Sequence, residues 1–310
     1  MTIDSPPAMS DARFAMSRDE IEKIFGPAIG REVTLPDSAW ATVEEKRRNE
    51  LAEGARKNRF RFWLSEWLPL APSYRYESKW NIDLALRRVA LSQAQDKAIV
   101  WGERRYFANS QGIKRVHLSY LMRAIDILRP RRVLEVGSGM GVNLTILAAQ
   151  YPTIAFAGLE LSRAGFDVSR DLAGRETIPQ ELAGFSPRPI NAASAHRRVD
   201  FRHGSAKRLP FPDRSFDLVY SIQALEQMNA FRGRALREMA RVSDGTVVMF
   251  EPFRDWNAVG PYRHKIIADR YFSAPIKELE RYGLRPTFST DNMPQKMFYT
   301  IGMVVAAKER

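Results

Sequence analysis

From Arg132 to Gly141 the chain reads RVLEVGSGMG. An apolar strand pattern with one acid in it, Glu135, runs into Gly137, Gly139 and Gly141. Glycines at such a strand end permit a tight turn and let backbone N–H groups come close to a ligand. A helix starting near Gly141 points its positive end at an anionic group. A glycine turn without a ligand fits the same letters, so the spacing has to decide. The dinucleotide fingerprint G-x-G-x-x-G needs glycine at position 142, where this chain has Val142, and the spacing here is G-x-G-x-G. A carboxylate inside an apolar strand is costly without partners, so Glu135 is expected to be hydrogen-bonded to the loop or to a ligand. The next strand ends in Glu160, 23 residues after Gly137. An acid there can accept both hydroxyls of a ribose; as a surface acid it would cap the following helix.

The glycine turn opens a long alternation. Strands are expected at Val133–Val136, Ile154–Glu160, Arg198–Arg202, Phe216–Ile222, Thr246–Phe250, Arg285–Ser289 and Phe298–Ala306. Helices are expected at His117–Leu128, Val142–Gln150, Arg163–Leu172, Arg232–Val242 and Ile276–Tyr282. Strand-helix alternation with short links predicts an α/β fold, a mostly parallel sheet covered on both faces. No helix separates the last two strands, and loop Thr290–Lys296 is short enough to pair them antiparallel. Residues 173–197 break the rhythm and read as an inserted flap or a disordered loop.

The first 110 residues have a different rhythm. Residues 1–16 are polar and contain proline, the pattern of a disordered tail. Ser17 and Glu20 make a capping box for a helix ending near Phe25, where Gly26-Pro27 stops it. Ser38 to about Leu68 lacks proline and mixes apolar with charged residues, which predicts one long amphipathic helix or two shorter ones. Residues 79–100 also read as helical. A helical region over 17–114 therefore precedes the sheet domain of 115–310. It holds Trp40, Trp63, Trp67, Trp80 and Trp101, five of the six tryptophans.

Composition narrows the setting. Cysteine is absent, which excludes disulfides, thiolate metal sites and cysteine nucleophiles. There is no run of about 18 apolar residues and no basic-then-apolar leader, so a cytoplasmic protein without a membrane span is expected. The net charge of +12 is uneven: residues 1–110 hold 18 basic and 16 acidic residues, and the rest hold 30 and 20. A basic sheet domain can steer nucleic acid or a phosphorylated small molecule, and a soluble arginine-rich surface reads the same way.

With VLEVGSGMG, AGLELS, FRHGSAKRLPFPDRSFDLVYSIQALEQM and ALREMARVSDGTVVMFEP in that order, residues 115–310 resemble the class I S-adenosylmethionine-dependent methyltransferases. The resemblance implies a Rossmann-like, doubly wound, seven-stranded sheet whose last strand is antiparallel. It implies S-adenosyl-L-methionine as cofactor. Gly137, Ser138, Gly139 and Gly141 would surround its methionine part, and Glu135 would hold that loop or the amine through water. Glu160, with Leu161 beside it, would bind the ribose hydroxyls. Gly204, Ser205 and Ala206 would lie at the adenine; many members have aspartate where Ser205 stands, so that contact departs from the pattern. Ser221, Ile222 and Gln223 would sit beside the transferred methyl.

Transfer of a methyl from a sulfonium is an in-line displacement, so the protein mainly positions and desolvates the acceptor. A hydroxyl acceptor also needs a base. Of His117, His196, His203 and His264, His264 in GPYRHKII follows the fifth strand and can fold over a substrate; Glu226 in ALEQM lies near the same sheet edge. These two are the catalytic candidates. The fourth strand continues as Ser221-Ile222-Gln223-Ala224, not the Asn/Asp-Pro-Pro-aromatic signature of adenine and glutamine N-methylation. No metal-ligand cluster is visible. Acceptor specificity is expected in the N-terminal region, whose aromatics Trp63, Trp67, Tyr74, Tyr76, Trp80, Trp101, Tyr106 and Phe107 either line a pocket or form a core. A small or mid-sized acceptor, phosphorylated or glycosidic, is the leading expectation. RNA methylation has charge in its favour but no RNA-binding module, and a non-catalytic cofactor-binding regulator is the third reading.

Overall fold

The computed structural model describes residues 11–65, 86, 96–190, 192–263, 266 and 274–309. The α helices are α1 (Arg18–Phe25), α2 (Ser38–Ser65), α3 (Gln111–Leu128), α4 (Val142–Gln150), α5 (Arg163–Gly174), α6 (Gln180–Ala183) and α7 (Arg232–Val242). The strands are β1 (Ile29–Val33), β2 (Asp96–Trp101), β3 (Arg104–Asn109), β4 (Arg132–Val136), β5 (Ala155–Glu160), β6 (Asp200–His203), β7 (Phe216–Ile222), β8 (Ser243–Glu251), β9 (Leu284–Thr290), β10 (Gln295–Lys296) and β11 (Gly302–Lys308).

The main sheet has seven strands in the order β6-β5-β4-β7-β8-β11-β9. β11 runs antiparallel to both β8 and β9, and the neighbouring pairs from β6 to β8 are parallel. Side-chain alternation divides each strand between two cores. Val133, Leu218, Tyr220, Val248, Phe250, Met303 and Val305 pack with Leu118, Leu121 and Met122 of α3 and with residues of α1, α4 and α5. Leu134, Val136, Val219, Val247, Met249, Val304 and Ala306 pack with Leu236 and Met239 of α7 and with Ile276 and Leu279. Burial on both faces explains why these strands read as continuous apolar runs. Successive strands lie on opposite sides of β4, so the crevice between the ends of β4 and β7 is the switch point where open α/β sheets bind ligands.

The helical N-terminal region is present as α1, with the Ser17–Glu20 capping box, and α2. Three expectations change. Residues 11–16 are not tail: Phe14 and Met16 are buried, and the Phe14 ring lies 5.8 Å from that of Phe288. Residues 96–101, read as the end of a helix, are a strand. KAIVW turns back through Gly102 and Glu103 onto RRYFAN, so Trp101 pairs with Arg104 and Ile99 with Tyr106. A second, antiparallel sheet results, ordered β1-β3-β2-β10. Residues 276–282 form 3-10 turns instead of an α-helix.

The insertion after α5 is packed. Leu182 and Phe185 are buried, Gln150 Nε2 donates to Pro189 O at 2.7 Å, and Arg188 pairs with Asp126 at 2.8 Å. At the opposite end of the sheet from the switch point, Asp217 fixes the start of β4, accepting the N–H groups of Arg131 and Arg132 at 2.7 and 2.9 Å. Asp217→Ala leaves both donors unpaired. It is expected to lower unfolding free energy by about 1–3 kcal/mol, read as a lower urea midpoint with unchanged slope.

Candidate functional site

The site is built from four strand ends. After β4, Gly137, Gly139 and Gly141 adopt φ of 79°, 55° and 76°, the left-handed region open to glycine. Close approach adds a second demand. A Cβ on Gly137 would lie 2.4 Å from Cβ of Ala224, and one on Gly141 would lie 2.6 Å from the Phe201 ring. At Gly139 nothing is within 4 Å, so the middle of the turn has an open face. Gly137 and Ser138 donate to Leu159 O at 2.8 and 3.0 Å, which folds the turn over the end of β5. Gly141 is the N-cap of α4 and no side chain caps that helix.

Glu160 ends β5 and joins two loops. One carboxylate oxygen accepts from Gly139 N–H at 2.8 Å, the other from Ser162 N–H at 2.7 Å. Ser162 itself caps α5 through Gly165 N–H. Leu161 is 46% exposed beside the carboxylate. His203 Nε2 donates to Leu161 O at 2.9 Å, and Gly204 N–H donates to Glu160 O at 2.9 Å, bringing the loop after β6 to the same place. Ser205 Oγ accepts Lys207 N–H within a local turn, and Ala206 is buried.

Glu135 points into the core under the glycine turn. Asn143 donates to Oε1 at 2.6 Å; the buried Tyr220 hydroxyl lies by the same carboxyl outside good hydrogen-bonding geometry, and Oε2 and the buried Oγ of Ser138 are left unsatisfied. These orphaned polar atoms, with the open face of Gly139, fit a polar ligand resting on the turn. Burial pushes the Glu135 carboxyl up to about 7, against the Asn143 bond and the Lys114 charge.

The fourth strand end, after β7, is organised by an acid that sequence reasoning missed. Glu251, last residue of β8, is fully buried and accepts from Ser221 Oγ and from the N–H groups of Ala224, Leu225 and Glu226 at 3.0–3.1 Å. Burial, then the Glu226 charge, raises its carboxyl to about 8. The visible signal was an acid closing the apolar run VVMFE, the pattern already noted at Glu135. Ser221 is thereby turned into the core and Ile222 is half-buried. Gln223 adopts φ 54°, one of four non-glycine residues with positive φ among the described residues. Such strain concentrates at functional sites. Gln223 Nε2 donates to the Tyr299 hydroxyl at 3.2 Å, and that hydroxyl donates to Glu226 Oε2. Phe298, next to Tyr299, is a second strained residue at φ 61°. The Tyr262 ring lies 4.5 Å from that of Tyr299. Sequence spacing gave no hint that Glu226 and Tyr299 meet.

His264 lies outside the described residues, as do Trp67, Tyr74, Tyr76, Trp80 and the side chain of Trp63. Trp101 and Tyr106 are core residues packed edge-on against Phe25, and Phe107 lies under Arg31 on the other face of the second sheet. Among the described residues no group of carboxylates and histidines could hold a metal ion, and no helix is long and apolar enough to cross a membrane.

Raised acids have a consequence for stability. The native state keeps protons on Glu135 and Glu251 that the unfolded chain releases near the ordinary value of 4.5. Stability is therefore expected to fall as pH rises from about 4.5 towards 7–8. Glu135→Gln keeps an oxygen for Asn143 and removes one of these titrations. Chemical unfolding at about pH 5 and about pH 8 should show the stability difference shrinking by roughly 1–3 kcal/mol in that variant.

Residues 134–249 match the family described as methyltransferase domain. The phthiotriol/phenolphthiotriol dimycocerosates methyltransferase 1 of Mycobacterium ulcerans (strain Agy99) is 26% identical over 155 residues, 50% of this chain and 47% of that protein. Ajmaline N-methyltransferase of Rauvolfia serpentina is 29% identical over 123 residues, 39% of this chain and 36% of that protein. The chain thus spans less than half the length of these curated relatives. The crystal structure of the [4+2]-cyclase SpnF aligns with a TM-score of 0.50 at 18% identity, covering 76% of this chain and 94% of that one, which shows a common fold. Residues 134–249, which match the methyltransferase-domain family, hold the glycine turn, Glu160 and the loops after β6 and β7.

Proposed function

We propose that this chain transfers a methyl group from S-adenosylmethionine to a small-molecule acceptor. The observation that carries the reading is the convergence of four strand ends at the switch point, with orphaned Glu135 and Ser138 atoms beneath an open glycine face. Gly137, Ser138, Gly139 and Gly141 would hold the methionine part, Glu135 its amine, and Glu160 the ribose through lone pairs beyond those given to Gly139 and Ser162. Leu161, Gly204 and Ala206 would border the adenine. Ser205 would contribute less there, because its oxygen is engaged with Lys207 N–H. The bound cofactor supplies an electrophilic methyl on a sulfonium.

The acceptor side is built from Ile222, Gln223, Glu226 and Tyr299, together with the N-terminal region whose sheet carries β10 at its edge. Ile222 and Gln223 would hold the acceptor's nucleophile toward the donor's methyl, which the donor would give up with sulfur keeping the bonding pair. The acceptor's proton leaves through the Tyr299 hydroxyl to Glu226, its hydrogen-bond acceptor. Burial, then the Glu226 charge, raises the Tyr299 pKa well above its ordinary value, so Tyr299 relays a proton and does not store the charge. Fold alone does not choose the reaction, since a cyclase has the same fold.

Calorimetry provides the first test. S-adenosylmethionine and S-adenosylhomocysteine should bind and NAD should not; Glu160→Ala should weaken both by about 1–3 kcal/mol. Unchanged affinity in that variant would remove Glu160 from the ribose. Incubating the protein with tritiated S-adenosylmethionine and an extract of the source cells should label a small molecule, whereas label in RNA or in nothing contradicts the proposal. With that acceptor, Glu226→Gln and Tyr299→Phe should lower turnover by about 10²–10⁴-fold while cofactor affinity holds.

A further inference from the structure

Glu135 stands in a polar chamber let into an apolar sheet. In the flanking strands its register partners are Gly158 of β5 and Tyr220 of β7. Partners in register put their side chains on one face. Gly158 has none, and Ser138 takes the room: its Oγ lies 3.0 Å from where a Cβ on Gly158 would stand. Asn143 closes the chamber from α4, 2.6 Å from Glu135 Oε1. Around this point Glu135 Oε2, Ser138 Oγ, Asn143 Oδ1 and the Tyr220 hydroxyl are all buried and unsatisfied. Folded interiors leave few such atoms, so a cluster of them points to a bound group.

The ionisable groups facing Glu135 are Lys114 of α3, Tyr220 of β7 and Glu160 at the end of β5. Burial acts most strongly and raises the carboxyl to about 7; Asn143, Lys114 and Tyr220 work against it, and Glu160 adds to it. Burial also lowers the Lys114 ammonium, which the Glu135 charge supports. Tyr220 keeps its proton, because burial and the neighbouring acid both oppose its ionisation. It is therefore a donor beside Glu135 at any ordinary pH. Next to a protonated acid that donor is worth little. Next to an ionised acid it makes a charge-assisted bond, roughly twice as strong.

We infer that the α-ammonium of S-adenosylmethionine binds at this chamber in exchange for a proton, with Glu135 ionising as the ammonium arrives and Tyr220 as the positioning residue that holds the ionised carboxylate. The inference rests on the methyl-transfer reading and adds regulation of the same site by pH. One positive charge enters, one proton leaves the Glu135 carboxyl for solvent, and no bond of the cofactor changes. At low pH the ammonium has to displace that proton, so affinity rises with pH; once the free acid is ionised, affinity levels off.

The test is calorimetry of the full chain with S-adenosylhomocysteine, in two buffers of different ionisation enthalpy at each pH. 5′-Methylthioadenosine, which has the adenosine but no amino-acid part, is the comparison ligand. With the free carboxyl at about 7, S-adenosylhomocysteine affinity should climb about tenfold between about pH 6 and about pH 8. At about pH 6 it should release about one proton per chain, and 5′-methylthioadenosine none. Glu135→Gln should abolish the release and flatten the pH dependence. Tyr220→Phe should weaken S-adenosylhomocysteine about tenfold, move the rise to higher pH, and leave 5′-methylthioadenosine unaffected. Should Glu135→Gln fail to fold, the proton count of the unsubstituted chain and the Tyr220→Phe profile still decide. Release that persists in Glu135→Gln, or affinity that is the same at both pH values, overturns the exchange. Equal weakening of both ligands by Tyr220→Phe overturns its positioning role. If the unsubstituted chain binds no S-adenosylhomocysteine at either pH, the methyl-transfer reading itself falls.

Discussion

One buried carboxylate organises the loop after β7. Glu251 gathers the hydroxyl of Ser221 and three successive backbone N–H groups from Ala224 to Glu226. The loop after β7 can therefore turn sharply at the sheet edge without leaving donors unpaired. Its geometry forces Gln223 into a strained conformation, presses Ala224 against Gly137, and presents Glu226 to Tyr299. The glycine turn and the loop after β7 are in contact because Glu251 holds the latter in place. Desolvating an acid is expensive, and four hydrogen bonds offset that cost.

Glu135 follows the same logic on the neighbouring strand with fewer partners. Glu251 is saturated and structural, whereas Glu135 keeps one oxygen unbonded below the glycine turn. The contrast separates a saturated acid from one with bonding capacity to spare, although both read alike as a lone carboxylate in an apolar run. Glu160 is a third case, half-buried and shared between two loops, so its position reports on the fit of β4 against β5.

Much of the sheet domain was legible because its elements carry local signals. Val142–Gln150, Phe216–Ile222 and Arg232–Val242 have the bounds expected from the sequence. The antiparallel last strand followed from the missing helix between two strand patterns. The second sheet was not legible. The hairpin around Gly102 lies in an arginine-rich stretch where a helical period could be run through, and β10 is only two residues long. Residues 11–16 look like tail by composition, yet Phe14 and Met16 are held by distant core partners. The glycine turn and Glu160 stand out in the sequence because the motif is contiguous or evenly spaced. Tyr299 and Glu251 depend on tertiary proximity.

The route by which β10 reaches its sheet bears on how the molecule assembles. The strand is a detour from the connection between β9 and β11, and it pairs with β2, whose residues come some two hundred positions earlier. During synthesis β4 through β8 leave the ribosome before this connection does. The second sheet and the Glu226–Tyr299 contact cannot be completed until the final strands emerge. These contacts have long sequence separation and so a high loop-closure cost, which places their formation late in folding. A chain interrupted in that connection would lack β11, leaving β8 as an unpaired edge and both cores without Met303 to Ala306.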